Sequence, residues 1–575
     1  MKSTWKMLLF LGGIAGYMGY RARRQLIARV LNLPLPQHEV AVTTGIQVAM
    51  SDGVNLVHDY YAPVELDDAP TVLIRSPYGR NISGSVFGAM LGFFAERFAE
   101  RGYHVVLQDV RGRFEAGGEF RPYLNESDDA HDTVVWLREQ DWFNGTLGLW
   151  GASYLGIVQW LLVNRVPEVK AIMPIFAATE LRDILFHDEA LDYGLAMRWL
   201  SIFHVLDRLK SNPILNLTRY VPMIESRSRK ASTVFPARNG DASVTGQTVD
   251  FYQEWLENEL EDSLLWADGR EMLNMDATDA AVHFIGGWYD FFLREQLEDY
   301  ARLRDNGLSP QLTIGAWAHF DEANGMIPGI REGLRWFDHH LKGHSGKVRG
   351  LPVRLFVIGA NEWREYPSFP PPSTETAYYL HPGRKLSTAI PEASETVHYT
   401  YDPANPTPAL GGAMFAFDTP VKDNRALESR PDVLTFTTDI LTQDVEAIGY
   451  VRLQLYVSSS LAHTDFFGRL CDVQPDGRSL NICDGLFRVK PGKGTPQSDG
   501  SICIEVQMWV TAYHFKRGHQ IRLQVSSGAH PRWLANPGTG ASLLDDNDTM
   551  HIAHQSIYIG KDTPSALFLP IVSAG

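Results

Sequence analysis

The chain has 575 residues, 44% of them hydrophobic, which is more than one hydrophobic core usually serves and predicts a globular protein of several domains. Its formal net charge is −16, and it has no run of Lys and Arg interleaved with aromatics, so nucleic acid is excluded as an expected partner. The three cysteines, Cys471, Cys483 and Cys503, lack CxxC spacing and favour neither a disulfide framework nor a zinc site.

Residues 1–34 are predicted to form an N-terminal extension that is first apolar and then basic. The apolar stretch Met7–Tyr20 is shorter than the roughly 20 residues that span a bilayer. Arginines follow at once, from Arg21 to Arg29, which argues against a cleaved secretory signal. Membrane association through residues 5–24 and a disordered extension both stay open, and a cytoplasmic or membrane-associated location is favoured over secretion.

Residues 35–178 alternate β-branched runs with amphipathic stretches, the pattern of βα units in a mostly parallel sheet. Thr71–Pro77 (TVLIRSP) and His104–Val110 (HVVLQDV) are predicted strands, separated by a helix that Gly102 ends. TLGLWGAS is a short buried strand, and Ala171–Ala178 is the next. This part of the chain therefore predicts the first portion of an α/β domain.

The remaining chain changes character twice. Residues 179–277 lack a strand signal and carry long aromatic-rich helices, which predicts a helical cap inserted into the α/β domain. Strands AVHFIGGWYD and QLTIGAWAH return within residues 278–346, which complete that domain. Residues 347–575 show alternating apolar and polar runs between Pro, Gly and Asp turns, which predicts an all-β jelly-roll sandwich.

The motif around Ser153 carries the strongest chemical signal. Gly151-Ala-Ser-Tyr-Leu-Gly156 lies between a predicted buried strand and a predicted helix. Glycines on both sides permit the strained strand-to-helix turn that lifts a serine above a sheet, and they place the Tyr154 N–H at a helix N-terminus facing it. The sequence therefore predicts a nucleophile elbow of α/β-hydrolase type, with Ser153 as nucleophile.

A serine hydroxyl needs an imidazole base and a carboxylate that orients the imidazole. Asp290 and His319 each end a predicted parallel strand, and they follow Ser153 in the order expected for this fold. Of the 19 histidines, the group His339, His340 and His344 is an alternative, but it lies on or past a helix and lacks the glutamate of a zinc-protease motif. We therefore predict Asp290 as acid and His319 as base.

The oxyanion that forms in acyl transfer needs hydrogen-bond donors. The Tyr154 N–H is one. The loop RSPYGR after strand TVLI places Tyr78 where the second donor is normally found, although a tyrosine in such a turn is also consistent with simple packing.

The motifs RSPYGR, QDVRGRFEAGGEF, GLWGASYLG, GGWYDFF, GAWAHF and WFDHHLKG, in this order, resemble those of the cocaine esterase and X-Pro dipeptidyl-peptidase family of serine hydrolases. The C-terminal part is similar to the jelly-roll domain that follows the catalytic domain in that family. The resemblance implies the triad Ser153, Asp290 and His319, with the Tyr78 hydroxyl and the Tyr154 amide as oxyanion donors.

Family members hydrolyse esters, α-amino-acid esters or X-Pro peptides, so the resemblance leaves the substrate open. The amino-acid-ester branch places acidic residues just after its aspartate, whereas Phe291, Phe292 and Leu293 follow Asp290 here. An apolar wall would desolvate a cation without pairing it. We therefore expect acyl or aromatic carboxylic esters as substrates, with Phe292 lining the acyl pocket as in the cocaine esterase branch or serving as a core aromatic.

X-Pro dipeptidyl-peptidase and α-amino-acid ester hydrolase activities are the alternatives. The cap carboxylates Asp188, Glu189 and Asp192 could anchor a free amino terminus, although such runs are more often solvated helix faces. A hydrolase-like binding protein without activity is a remote alternative. No metal or organic cofactor is expected, and the oligomeric state, a homo-oligomer included, stays open.

Overall fold

The computed structural model describes residues 20–209, 213–260, 262–273, 275–345, 348–546 and 548–572. Its first sheet is built from the strands β1 (Val40–Ala49), β2 (Asn55–Pro63), β3 (Ala69–Ser76), β4 (His104–Asp109), β5 (Phe143–Ala152), β6 (Val169–Ile175), β9 (Ala281–Tyr289), β10 (Gln311–Ala318), β11 (Val353–Val357) and β12 (Glu362–Tyr366), while β7 (Phe186–His187) and β8 (Ala190–Leu191) form a separate hairpin. In the first sheet the strand order is β1-β2-β4-β3-β5-β6-β9-β10-β11-β12.

The centre of this sheet is parallel, from β4 through β3, β5, β6, β9 and β10 to β11, and antiparallel strands lie at both edges. Strand β3 is buried along its whole length, as expected for a parallel strand with helices on both faces. All parallel strands end at the same edge, so the residues that follow β3, β5, β9 and β10 are brought together there.

The helices are α1 (Tyr20–Val30), α2 (Val86–Ala99), α3 (Glu126–Arg138), α4 (Tyr154–Val163), α5 (Leu181–Leu185), α6 (Tyr193–Leu209), α7 (Pro213–Ala231), α8 (Gly240–Thr245), α9 (Asp250–Glu257), α10 (Leu264–Met272), α11 (Leu293–Asp305), α12 (Glu322–His340) and α13 (Arg425–Glu428), with a 3₁₀ turn at Ala237–Asn239. Helices α2, α3, α4, α11 and α12 connect strands of the sheet. Helices α5 to α10 lie between β6 and β9, in the region where the sequence predicts a cap.

The second sheet contains β13 (Thr374–His381), β14 (Lys385–Ser387), β15 (Glu395–Tyr401), β16 (Leu434–Thr437), β17 (Val445–Ser459), β18 (Thr464–Val473), β19 (Ser479–Val489), β20 (Thr495–Pro496), β21 (Ile502–Phe515), β22 (Gln520–Ser526), β23 (Ala553–Ile559) and β24 (Ala566–Ile571). Its pairings are antiparallel except for β14 with β16. The predicted fold class, an α/β-hydrolase domain with a helical insertion followed by an all-β domain, is confirmed.

The α/β sheet extends past residue 346, where the sequence analysis ends the domain. Strand β11 pairs in parallel with β10 from Val353 opposite Leu312, and β12 pairs with β11. The chain therefore adds two strands to the catalytic sheet before it enters the all-β domain. Short alternating strands look alike in both domains, so the pattern alone does not separate them.

Helix α1 is attached to the α/β domain. Ile27 and Ala28 are buried, and the guanidinium of Arg24 pairs with the buried carboxylate of Glu100 at 2.7 Å. Most of the segment 5–24, for which membrane association is one interpretation, lies outside the described residues. In the described part of the chain, no helix has the length and apolar character needed to cross a bilayer.

Candidate active site

Ser153 lies in a strained turn between β5 and α4. Its φ of 58° and ψ of −127° are far from the ordinary regions for a non-glycine residue. The glycines of the motif are required by close packing: a Cβ on Gly151 would lie 2.4 Å from the Leu155 Cβ, and one on Gly156 would lie 2.5 Å from the Ala177 Cβ. The geometry is that of a nucleophile elbow, as the motif predicts.

Asp290 and His319 directly follow β9 and β10, and their side chains are joined. His319 Nδ1 and Asp290 Oδ2 are 2.6 Å apart, and both residues are buried. The other carboxylate oxygen of Asp290 accepts the N–H of Phe292 at 2.8 Å. An ionised carboxylate can only accept a hydrogen bond, so this contact places the imidazole proton on Nδ1 and leaves Nε2 as a base.

Aromatic rings surround the His319 imidazole. The ring centroids of Phe291, Phe415 and Phe320 lie 4.7, 5.1 and 5.5 Å from that of His319. Phe415 belongs to the all-β half of the chain, between β15 and β16, so that domain supplies part of the wall of the site. Sequence reasoning missed Phe415, because a loop phenylalanine gives no signal of where it docks.

Tyr78 lies two residues past β3, next to the elbow. The indole N–H of Trp199, on α6 of the cap, donates to the Tyr78 hydroxyl oxygen at 3.1 Å. Burial raises the pKa of Tyr78 to about 12, while hydrogen bonds with Trp199 and Ser153 work in the opposite direction. The phenol therefore stays protonated near neutral pH, lines the same cavity as Ser153, and is suited to donate to a developing anion.

Tyr154 opens helix α4, where backbone N–H groups have no partner within the helix. Its buried side chain is held by a hydrogen bond: the phenol donates to Glu126 Oε1 at 2.5 Å, and Glu126 is paired with Arg75 at 2.8 Å. Burial raises the pKa of Glu126, and the positive charge of Arg75 opposes that rise. The Tyr123 ring stacks on that of Tyr154 at 4.7 Å, so the first turn of the helix is held firmly.

The loop that carries Tyr78 is also anchored by charge. Arg80, two residues further on, forms buried ion pairs with Asp59 and, at 2.9 Å, with Asp109. Burial raises the pKa of Asp109 to about 7, against the lowering effect of Arg80. Sequence reasoning did not select Arg80; the glycine before it and the aspartate at the end of β4 are the signals that were available.

A cavity at this edge of the sheet brings most of the predicted residues together. It is lined mainly by apolar and aromatic side chains from the α/β domain, the cap and the all-β domain: Tyr78, Tyr123, Ser153, Tyr154, Ile157, Leu181, Ile184, Leu185, Leu195, Ala196, Trp199, Trp255, Trp266, Phe291, Phe292 and Phe415. Within the part of the chain that the structure describes, no Asp or Glu lines this cavity. Phe292 is in the lining, where the sequence analysis expects it.

The cap carboxylates considered as an amino-terminus anchor are engaged elsewhere. Asp188 pairs with Lys493 at 2.7 Å, and Glu189 pairs with Lys490 at 2.6 Å, both lysines being in the all-β domain. Asp192 accepts the N–H of the third residue beyond it at 2.8 Å and so caps α6. These three carboxylates fasten the cap rather than line the cavity.

The alternative histidines stay apart from the site. His339 Nδ1 lies 3.0 Å from the carbonyl oxygen of His344, and the ring of His340 packs on Trp336 at 4.1 Å. Burial lowers the pKa of His340 to about 4. Among the described residues, no group of His, Cys, Asp and Glu is arranged to hold a metal ion.

Comparison with known proteins identifies the family. Residues 52–321 match the model of X-Pro dipeptidyl-peptidase (S15 family), and residues 347–567 match that of the X-Pro dipeptidyl-peptidase C-terminal non-catalytic domain. Cocaine esterase of Rhodococcus sp. (strain MB1 Bresler) is 32% identical over 92% of this chain and 99% of its own length.

Solved structures agree with this fold. An aminopeptidase from the marine sediment archaeon Thaumarchaeota archaeon superposes with a TM-score of 0.76 at 21% identity, covering 93% of this chain and 96% of its own. An α-amino acid ester hydrolase gives a TM-score of 0.75 at 23% identity, covering 93% of this chain and 97% of its own. Taken with the family matches, they show that this chain is an enzyme of the cocaine esterase and X-Pro dipeptidyl-peptidase (S15) family of serine hydrolases.

Proposed function

We propose that this enzyme hydrolyses carboxylic esters with uncharged acyl or aromatic acyl groups, through an acyl-enzyme on Ser153. The observation that carries the proposal is the composition of the cavity: aromatic and aliphatic side chains surround Ser153, and no carboxylate lines the cavity among the described residues. A neutral acyl group gains from such surroundings, because burying apolar surface is favourable.

The proposed mechanism follows from the positions of five groups. Ser153 Oγ attacks the acyl carbon while its proton passes to His319 Nε2, and Asp290 stabilises the imidazolium that forms. The Tyr78 hydroxyl and the Tyr154 N–H donate to the oxyanion of the tetrahedral intermediate. His319 then gives its proton to the leaving alkoxide. Water, deprotonated by His319, attacks the acyl-enzyme in the same way and frees Ser153.

The charge distribution weighs against the alternatives. A substrate with a free amino group needs a carboxylate to balance the desolvation of its ammonium. Asp188 and Glu189 already pair with lysines, and Asp192 caps a helix. The likeness to cocaine esterase over almost the whole of both chains also supports an ester substrate rather than an X-Pro peptide.

A substrate panel tests the proposal. Wild type, Ser153→Ala and the control Ser429→Ala, an exposed serine of the all-β domain, are compared on p-nitrophenyl butyrate, phenyl benzoate, phenylalanine methyl ester and Gly-Pro-p-nitroanilide. We expect turnover of the first two esters in wild type and in Ser429→Ala, and its loss in Ser153→Ala. Serine-dependent cleavage that favours the anilide or the amino-acid ester would reject the proposal.

A further inference from the structure

A hydrogen bond links the cap to the proposed oxyanion site. Trp199 lies in α6, and its indole N–H donates to the hydroxyl oxygen of Tyr78 at 3.1 Å, across 121 residues of sequence. Both residues line the cavity that contains Ser153. The cap therefore contacts the group proposed to stabilise the transition state, and does so through a polar bond as well as by packing.

The chemistry of the two groups fixes the direction of this bond. An indole nitrogen can only donate, whereas a phenol has one proton to donate and lone pairs that accept. Because the Tyr78 oxygen accepts from Trp199, its own O–H remains available as a donor, and Tyr78 lines the same cavity as Ser153. Accepting one hydrogen bond also polarises the phenol and makes it a better donor.

Packing holds the indole in this orientation. Trp199 is 8% exposed, and the Phe203 ring meets it edge-on with centroids 4.6 Å apart. The Trp255 ring stacks on the Trp199 ring with centroids 5.6 Å apart. Phe203 also stacks on the Tyr78 ring at 5.7 Å, so one cap side chain sets both the donor and the acceptor. The bond therefore exists before substrate binds, which is the condition for electrostatic preorganisation.

We infer that Trp199 is a positioning residue for the oxyanion site, which directs the Tyr78 O–H toward the developing negative charge and so couples the placement of the cap to the rate of acyl transfer. The inference rests on the proposed function and extends it. Trp199 acts through Tyr78, in addition to forming part of the cavity wall.

A double-mutant cycle separates the two contributions. Wild type, Trp199→Phe, Tyr78→Phe and the double variant are compared for kcat and KM on phenyl benzoate. Phenylalanine keeps an aromatic ring but has no N–H. We expect Trp199→Phe to lower kcat about 10-fold with KM changed less than about 3-fold, and Tyr78→Phe to lower kcat about 100-fold. The double variant should match Tyr78→Phe, because the hydrogen bond has no acceptor in that background.

Trp255→Phe is the matched control, since Trp255 lines the same cavity and stacks on Trp199. Trp255→Phe should change kcat/KM by the same factor whether residue 78 is Tyr or Phe. Thermal unfolding of each variant shows whether the fold is kept. If a variant unfolds too readily for kinetics, inhibition by phenyl trifluoromethyl ketone at low temperature gives a second readout. The adduct of this ketone with Ser153 carries an oxyanion, so Trp199→Phe should weaken the inhibition about 10-fold.

The inference is overturned if Trp199→Phe lowers kcat by the same factor in both backgrounds, or raises KM alone, because the indole would then act only as cavity wall. A Tyr78→Phe variant with wild-type kcat would also overturn it, by removing Tyr78 from the oxyanion site. Failure of the proposed function has a different signature, namely the absence of Ser153-dependent ester turnover in the wild type.

Discussion

Glu295, in the first turn of α11 five residues after Asp290, is a buried carboxylate without a compensating hydrogen bond. Both of its side-chain oxygens lack a hydrogen-bond partner, and the nearest cation, Arg294, is 3.6 Å away. Burial raises the pKa of Glu295 to about 8; Arg294 lowers it, and the negative charges of Glu298 and Asp183 raise it further. At neutral pH this side chain is therefore protonated in the folded enzyme and ionised in the unfolded chain.

The sign of the pH dependence follows from that difference. Between the ordinary value of 4.5 and about 8, the folded state binds the proton and the unfolded state does not, so stability decreases as pH rises through this range. At pH 9 the raised pKa of Glu295 lowers the free energy of unfolding by about 5 kcal/mol, compared with a pH at which Glu295 is protonated in both states. Because rearrangement of Arg294 around the charge recovers part of it, we expect Glu295→Gln, which keeps the shape, to stabilise the fold by about 3 kcal/mol at pH 9 and by less than about 1 kcal/mol at pH 5.

Urea unfolding followed by fluorescence at pH 5, 7 and 9 measures this effect. Glu392→Gln is the control, since Glu392 is an exposed glutamate of the all-β half of the chain, whereas the charge of Glu298 itself affects the Glu295 pKa. The control should change stability by less than about 0.5 kcal/mol at each pH. If Glu295→Gln destabilises the enzyme at pH 9, or changes its stability equally at all three pH values, the ionised carboxylate is stabilised in the fold and burial does not set its pKa.

Three further predictions concern the site. Asp290→Asn should lower kcat about 1,000-fold or more with little change in thermal stability, because an amide would stabilise the wrong tautomer of His319; steady-state kinetics decide, and a loss below 10-fold would remove Asp290 from the triad. Phe415→Ala should cost about 3 kcal/mol in urea unfolding and raise kcat/KM for phenyl naphthoate relative to phenyl benzoate; an unchanged ratio would mean that Phe415 does not bound the acyl group. Asp188→Asn should leave kcat/KM for esters and for Gly-Pro-p-nitroanilide within about 2-fold, because Asp188 pairs with Lys493; selective loss of anilide cleavage would assign it to substrate binding.

The regular part of the fold could be predicted from periodicity. The strands predicted around Thr71–Pro77 and His104–Val110 are found at Ala69–Ser76 and His104–Asp109. Central strands of a parallel sheet are buried on both faces and therefore read as nearly continuous apolar runs, a pattern that few other elements have. The same logic placed Asp290 and His319, since both immediately follow β-branched or aromatic strands. Residues fixed by the ends of parallel strands are therefore accessible to sequence reasoning.

What could not be predicted depends on contacts between distant parts of the chain. Phe415 reaches His319 from a loop of the all-β domain, and Trp199 reaches Tyr78 from the cap. Neither position has a periodic signal, because a helix face or loop tip is chosen by the packing of whole domains. The sequence alone allows Asp188 to anchor a substrate amino group, because its structural partner, Lys493, lies 305 residues away in the chain.

The place of Phe415 in the wall of the site bears on the order in which the enzyme is made. Ser153, Asp290 and His319 all precede Phe415 in the sequence, so a chain growing on the ribosome carries the proposed nucleophile, acid and base before the last part of the wall exists. Until the all-β domain folds and brings Phe415 against the imidazole, the histidine of the unfinished chain is open to bulk water on that side.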